Sequence, residues 1–330
     1  MPGLGLPWAG HLRLGGEDVD GRDKPGHDER KFMTPAPELA TTDDFELLLV
    51  AMRPKLHRYC ARMVGSVIDG EDVLQDALIK AVEARPAAGV IANPEGWLFR
   101  IAHNTALDFL RRRSRRDALR SAEEVEMIAD ELDPVTSRQI ASASLRTFMR
   151  LPVAQRAGVI LADVLGYPLH EVGDIMGYSL AATKAALNRG RTRLRALAGQ
   201  GDDAPHPVLS KADQARLSAY VASFNARDFD RIRAMLADDV RLELVSRTRM
   251  TGKVEVSRYF GNYSKVDDWH LAVGLVENRP AILVFDPNEP TGPPKYFVLL
   301  DWSADKVSSI RDFRHAPYVV DGLDYRRDIT

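Results

Sequence analysis

The chain reads as a multidomain protein: two all-α domains, the second ending in a helix-turn-helix, followed by an α+β domain. Three observations predict this. Apolar residues recur at helical spacing across 45–113 and again across 137–198. An acidic stretch at 121–134 and the polar run GQGDDAPHP at 199–207 divide the chain. From about residue 240 the period shortens to two, most clearly where Trp269, Leu271, Val273 and Leu275 alternate.

The length of 330 residues suits two or three small domains, and 45% hydrophobic residues are enough to build real cores. A net charge of −2 hides strong segregation. Residues 97–120 hold seven arginines against Asp108 and Asp117, and 184–195 hold five positive charges and no acid. Glu123, Glu124, Glu126, Asp130, Glu131 and Asp133 form an acidic stretch between them. Two local basic segments imply two polyanion contacts, because phosphate affinity follows local charge. Cys60, the single cysteine, excludes an internal disulfide and suits a reducing compartment. No apolar run approaches the roughly 18 residues of a membrane span, and the first residues lack a signal-peptide core. A cytoplasmic protein with no membrane contact is expected. Metal-ligand spacings, Walker loops and G-x-G-x-x-G stretches are missing, so neither a metal nor another cofactor is expected.

Element by element, residues 1–32 contain ten glycines and prolines and read as disordered, or as a mis-called translation start. Phe45, Leu49, Met52, Leu56 and Met63 mark a first helix, which Pro54 should bend or interrupt. Asp69 is placed to cap a second, buried through Val73, Leu74, Ala77, Leu78 and Ala81. Pro94 opens a third, running to about Arg113. After the acidic linker at 119–136, a second helical set spans 137–198, and 199–210 is a further linker. Residues 211–225 form a helix burying Leu217, Tyr220, Val221 and Phe224, and Asp228 caps a shorter one. Strands at 240–245, 269–276, 280–285, 295–302 and 306–315 complete a curved antiparallel sheet.

Two segments carry the functional expectation. In the third helix Trp97, Ile101, Thr105 and Phe109 fall on one side, and Arg100, Asn104, Asp108 and Arg111 or Arg112 on the other. Arginines grip phosphates, an asparagine bonds a base edge, and aromatic rings stack on unpaired bases. An ordinary solvated helix would show a similar charged face. In the second set a helix ends at Gly166, a short one spans about 169–176, Gly177 turns the chain, and Ser179 caps a basic helix. That helix carries Lys184, Asn188, Arg189, Arg191, Arg193 and Arg195 with no acid, which favours a groove-reading helix over a plain helical hairpin.

The runs IDGEDVLQDALIKA (68–81) and PEGWLFRIAHNTALDFLRRRSRR (94–116) resemble domain 2 of extracytoplasmic-function sigma factors of RNA polymerase. LPVAQRAGVILADVLGYPLHEVGDIMGYSLAATKAALNRGRTRLRAL (151–197) resembles their domain 4. The resemblance implies domains at 43–118 and 137–198 and two partners, core polymerase and promoter DNA. It implies that Asp72, Gln75 and Asp76 contact the clamp of the largest polymerase subunit. It implies that Trp97, Arg100, Asn104, Arg111 and Arg112 engage and melt the minus-ten element. Thr183, Lys184, Asn188, Arg189 and Arg191 would lie on the helix reading the minus-thirty-five element. Two departures stand out: Ala186 occupies a position where the family often has arginine, and Gly173 replaces a usual alanine, which should loosen its helix slightly.

YVASFNARDFDRIRAMLADDVRLEL (220–244) resembles the SnoaL-like group, which implies a cone-shaped α+β domain over 211–330. Tyr259, Trp269, His270, Asp312 and Arg314, with His315, are its candidate pocket residues. The resemblance implies a sigma factor rather than an enzyme. Its C-terminal domain would modulate activity and take a small ligand or a regulatory protein. Two rivals are a ligand-sensing helix-turn-helix regulator and a SnoaL-like cyclase or isomerase.

Overall fold

The computed structural model describes residues 42–118, 144–198, 209–263 and 265–327. The N-terminal 1–32 and nearly all of both linkers lie outside the described residues. Every described residue belongs to one unit, 38–330.

The first helical group consists of α1 (Thr42–Val64), α2 (Val67–Ala84) and α3 (Pro94–Ala118). α1 continues through Pro54 rather than ending there. Pro54 is exposed, so the carbonyl it cannot serve faces water, while Met52, Leu56, Tyr59 and Cys60 hold both turns in the core. α2 begins earlier than expected. Ser66, not Asp69, is its cap: the Ser66 hydroxyl accepts from the Asp69 N–H at 3.0 Å. Gly70 sets how closely α1 and α2 approach, because a Cβ there would lie 2.6 Å from the Ala61 Cα. The buried stripe of α3 is Leu98, Phe99, Ala102, His103, Thr105 and Ala106. Trp97, Ile101 and Phe109, expected on the core side, are half-buried flanks of that stripe.

The second helical group comprises α4 (Leu145–Met149), α5 (Val153–Val159), a π turn (Ile160–Val164), α6 (Leu169–Met176) and α7 (Leu180–Ala198). Both groups share one core, in which Tyr59, Phe99, Phe148, Leu151, Tyr167 and Val172 belong to a single apolar cluster. Arg156 of α5 is the polar rivet of that junction. Its guanidinium is buried and donates to the carbonyls of Met63 (2.5 Å), Leu151 (2.8 Å) and Met149 (3.2 Å). Burial, opposed by Tyr59, lowers its pKa to about 10, so it stays charged at neutral pH.

The third group is α8 (Lys211–Asn225), α9 (Phe229–Met235), β1 (Leu236–Leu244), β2 (Thr248–Thr251), α10 (Lys253–Tyr263), β3 (His270–Val276), β4 (Arg279–Phe285), β5 (Tyr296–Ser303), β6 (Lys306–Asp312), a 3-10 turn (Pro317–Val320) and β7 (Tyr325–Arg327). The seven strands lie in the order β2-β1-β6-β5-β4-β3-β7. The sheet is mixed rather than antiparallel throughout: β1 and β6, separated in the chain by α10 and four strands, pair in parallel. β2, α10 and β7 were not expected. The regular alternation predicted for β3 holds at Trp269 and Leu271 and then shifts to Gly274 and Val276. The shift coincides with pairing to β7 at Gly274, Leu275 and Val276. Val67 and Ile68 of α2 enter this third group's core, so the sheet packs directly on α2.

Two buried histidines tie stability to pH. His57 Nε2 donates to the Val67 carbonyl at 3.0 Å, and His103 Nδ1 is bonded to the Tyr59 hydroxyl at 2.7 Å. Burial pushes both imidazoles from 6.5 down to about 4. The unfolded chain therefore binds these protons more readily than the folded one. Their stabilisation is complete above pH 6.5 and is lost as pH falls towards 4, at about 1.4 kcal/mol per pKa unit per group. The carboxyls of Glu71 and Glu277, raised from 4.5 by burial, act in the opposite sense as pH falls towards 4.5 and offset part of that loss. The melting temperature should therefore fall between pH 7 and 5.5, and His57→Gln should flatten that slope. An unchanged slope in the variant would remove His57 from the account.

Candidate nucleic-acid interface

The helix-turn-helix is built by local rules. α6 stops at Gly177, which takes the left-handed conformation at φ +71°. The Ser179 hydroxyl accepts from the Ala182 N–H at 3.3 Å and starts α7. Gly173 does not loosen the motif as expected. A Cβ there would sit 2.9 Å from the Tyr178 carbonyl and 3.2 Å from the Thr183 hydroxyl, so glycine lets the turn close. Lys184, Asn188 and Arg189 are exposed along α7.

Two expected DNA contacts on α7 are corrected. Thr183 is 0% exposed, and its hydroxyl donates to the Ser179 carbonyl at 2.9 Å, so it anchors the helix start instead of facing a groove. Arg191 forks onto Asp163 at 2.9 and 2.6 Å, and that carboxylate is only 4% exposed. Withdrawing the arginine would strand a buried charge. Ala186 is buried as well, so no surface contact is lost where the family often has arginine.

On α3, Arg100, Asn104, Asp108, Arg111 and Arg112 are all exposed, as a polar face requires. Arg100 is engaged within the chain: Nε and Nη2 donate to the Asp174 carbonyl of α6 at 3.0 and 2.6 Å. Trp97 is half-buried, 6.2 Å from the Phe45 ring. Arg111 pairs with Asp108 at 3.1 Å, and Arg112 lies 4.0 Å from Asp76 of α2. These exposed pairs are weak, and the Arg112–Asp76 pair places the α2 and α3 candidate faces along one rim.

The α2 face meets the sheet of the third group. Arg311 of β6 pairs with Asp72, and its Nε lies 3.0 Å from Glu243 of β1. Burial raises the Asp72 pKa, and the Arg311 guanidinium opposes that. Arg249 of β2 donates to the Gln75 side chain at 3.4 Å. At the start of α2, the Glu277 carboxylate accepts from the Ser66 hydroxyl and the Val67 N–H, both at 2.5 Å. That carboxylate faces the positive end of the helix dipole. Beside it Arg53 donates to Glu71 (3.3 Å), Ser246 (2.7 Å) and Tyr318 (3.1 Å), and Tyr318 donates to Glu71 at 3.1 Å. No signal in the sequence joins these residues, which lie about two hundred positions apart.

Within the third group, Tyr259 and Tyr263 both donate to buried Asp312, Tyr263 at 2.8 Å. Trp269 packs edge-on against Phe224 at 4.8 Å and belongs to the core, so it is not a pocket wall. The interior void beside Asp312 is about 20 Å³, room for a single water. The larger space, about 580 Å³, lies at the mouth and is lined by Tyr259, Tyr263, Arg314 and His315. His270 does not line it. Among the described residues no cluster of His, Cys, Asp and Glu is disposed to hold a metal, and no helix is long and apolar enough to cross a membrane.

Comparison with known proteins bears on the helical groups most directly. The sigma-70 region 2 family model matches residues 48–116, that is, most of α1, α2 and α3. The chain is 28% identical over 300 residues to the ECF RNA polymerase sigma factor SigG of Mycobacterium tuberculosis, covering 82% of this chain and 81% of that one. It is 33% identical over 155 residues to SigM of the same organism, also an ECF RNA polymerase sigma factor, covering 47% of this chain and 77% of SigM. The crystal structure of the Mycobacterium tuberculosis sigma factor SigJ aligns with a TM-score of 0.32 at 21% identity, over 82% of this chain and 95% of that one. Identity of one residue in three across more than three quarters of SigM is kinship, and the chain belongs to the ECF RNA polymerase sigma factors.

Proposed function

We propose that residues 43–118 and 137–198 are the two DNA- and polymerase-binding domains of this sigma factor, and that the domain at 211–330 holds them closed. In this reading Asp72, Gln75 and Asp76 meet the clamp of the largest polymerase subunit. Trp97, Arg100, Asn104, Arg111 and Arg112 engage and melt the minus-ten element, and Lys184, Asn188 and Arg189 read the minus-thirty-five element. Thr183 and Arg191 position that reading helix.

The observation that carries the regulatory part is Arg311 seated on Asp72, with Arg249 on Gln75. Two of the three residues assigned to the polymerase, Asp72 and Gln75, are already engaged by the chain's own sheet, while Asp76 stays exposed beside Arg112. Arg100 is likewise held by α6. A tether of about nine residues keeps the domain at an effective concentration in the millimolar range, so modest contacts suffice to populate the closed form. Polymerase must then bind the open fraction, and its apparent affinity is reduced by that fraction. The cyclase or isomerase reading needs substrate room inside the cone, where the void is about 20 Å³.

Run-off transcription with core polymerase tests the assignment. Asn104→Ala should leave core binding intact and reduce promoter opening, read by permanganate footprinting. Lys184→Ala should weaken all minus-thirty-five sequences alike and flatten the salt slope by about one unit. Arg189→Ala should cost about 1–3 kcal/mol and relax preference at one base position. Identical, sequence-independent losses for both α7 variants would defeat base reading by Arg189.

A further inference from the structure

The mouth of the cone joins two environments that the rest of the molecule keeps apart. Its floor is Tyr259 and Tyr263, whose hydroxyls are committed to Asp312. Arg314 is fixed at one side by Asp268 (2.8 Å) and the Tyr296 hydroxyl (3.1 Å). Arg247, on the turn between β1 and β2, is exposed, and its Nη1 donates to His315 Nε2 at 3.2 Å. Arg247 has no carboxylate partner among the described residues. The guanidinium therefore retains charge and donors while bound to a neutral imidazole. Burial lowers the His315 pKa, and Arg247 and Arg314 push it the same way against Asp312. A carboxylate seated here would take a forked pair of bonds from Arg247 and favour a protonated His315. The apolar body attached to it would lie over the tyrosine rings beside Val266.

The residue before Arg247 belongs to the other environment. Ser246 has φ +67°, a left-handed conformation unusual for serine, and its hydroxyl meets Arg53, Tyr318 and Glu71 at the junction with α1 and α2. Arg247 and Thr248 line both the mouth and a groove of about 650 Å³ between this turn and the α1–α2 pair. A force on Arg247 is thus delivered one residue away, at the contacts that keep α2 covered.

We propose that the mouth of the cone binds a small organic anion, a carboxylate on an aromatic or aliphatic body. Binding acts through the turn at 246–247 to release the cover on α2. The consequence for polymerase rests on the closed-state reading above; the binding itself does not. The test uses full-length protein and calorimetry with benzoate, salicylate, indole-3-acetate and octanoate, each beside its primary amide. At least one carboxylate should bind saturably, with its amide at least tenfold weaker. Arg247→Gln should weaken binding at least tenfold without moving the melting temperature. Affinity should rise from pH 8 to 6 with net proton uptake. The bound carboxylate should also tighten core polymerase binding at least threefold for wild type and not for Arg311→Ala, whose cover is already loosened.

Failure of every carboxylate to bind overturns the proposal, as does equal binding of the amides or of Arg247→Gln. Binding that leaves core affinity unchanged overturns the coupling. The two readings fail separately. If Arg311→Ala raises core affinity but no carboxylate does, the anion site is wrong and the closed state stands. If carboxylates bind and Arg311→Ala changes nothing, the closed state is wrong.

Discussion

Replacing Arg311 and Glu277 together by alanine should strengthen binding of core RNA polymerase at least tenfold. Arg311, 17% exposed, neutralises both Asp72 and Glu243; without it two carboxylates face each other across the α2–sheet junction. Glu277 contributes the acceptors for the Ser66 hydroxyl and the Val67 N–H. α2 keeps its own Ser66 cap when Glu277 is gone, so the helix survives while the junction weakens. A loss of about 1.4 kcal/mol at the junction shifts the open fraction tenfold. Fluorescence titration of core polymerase with wild type and the double variant, beside their thermal melts, measures this. Equal affinities with intact melts would mean that the sheet does not compete with polymerase for α2.

The second large effect belongs to Arg156. Arg156→Met fills similar space but leaves the carbonyls of Met63, Met149 and Leu151 short of a donor. Each buried unsatisfied group costs about 1–3 kcal/mol. A total near 3 kcal/mol or above is expected, lowering the melting temperature by about 6–12 °C. Arg156→Lys should recover part of the loss, because one ammonium reaches fewer of the three acceptors. The two helical groups share a core, so both should lose stability together, read by circular dichroism and by fluorescence of Trp97. A shift below 2 °C for Arg156→Met would show that water satisfies these carbonyls unaided.

Much of this architecture was legible because local chemistry marks it. Pro94 opens α3, Gly177 closes α6, Asp228 caps α9, and the two helical groups fall where the apolar period is 3.6. Helix-surface assignments were weaker where they depended on what packs alongside. Thr183 and Arg191 look like groove residues on α7 alone, and only the closeness of α6 and of Asp163 turns them inward. α10 carries a helical signal in the spacing of Val256, Tyr259, Phe260 and Tyr263, which the neighbouring valines blur. The cover on α2 left none. Arg311 sits in a serine-flanked strand and Glu277 in a tight turn, and each acquires meaning only against a helix more than two hundred residues earlier.

The surface that covers α2 is carried by the chain it covers, and this changes how cells could control the protein by amount. An inhibitor made as a separate protein can be outnumbered when the gene for its target is overexpressed. In the proposed closed state the ratio of cover to covered is one at every level of synthesis, and opening would be a unimolecular equilibrium independent of concentration. Doubling the dose doubles open and closed molecules alike, and degrading some molecules leaves the open fraction of the rest unchanged. Gene dosage therefore sets the ceiling of the response, while only something that binds individual molecules sets its fraction.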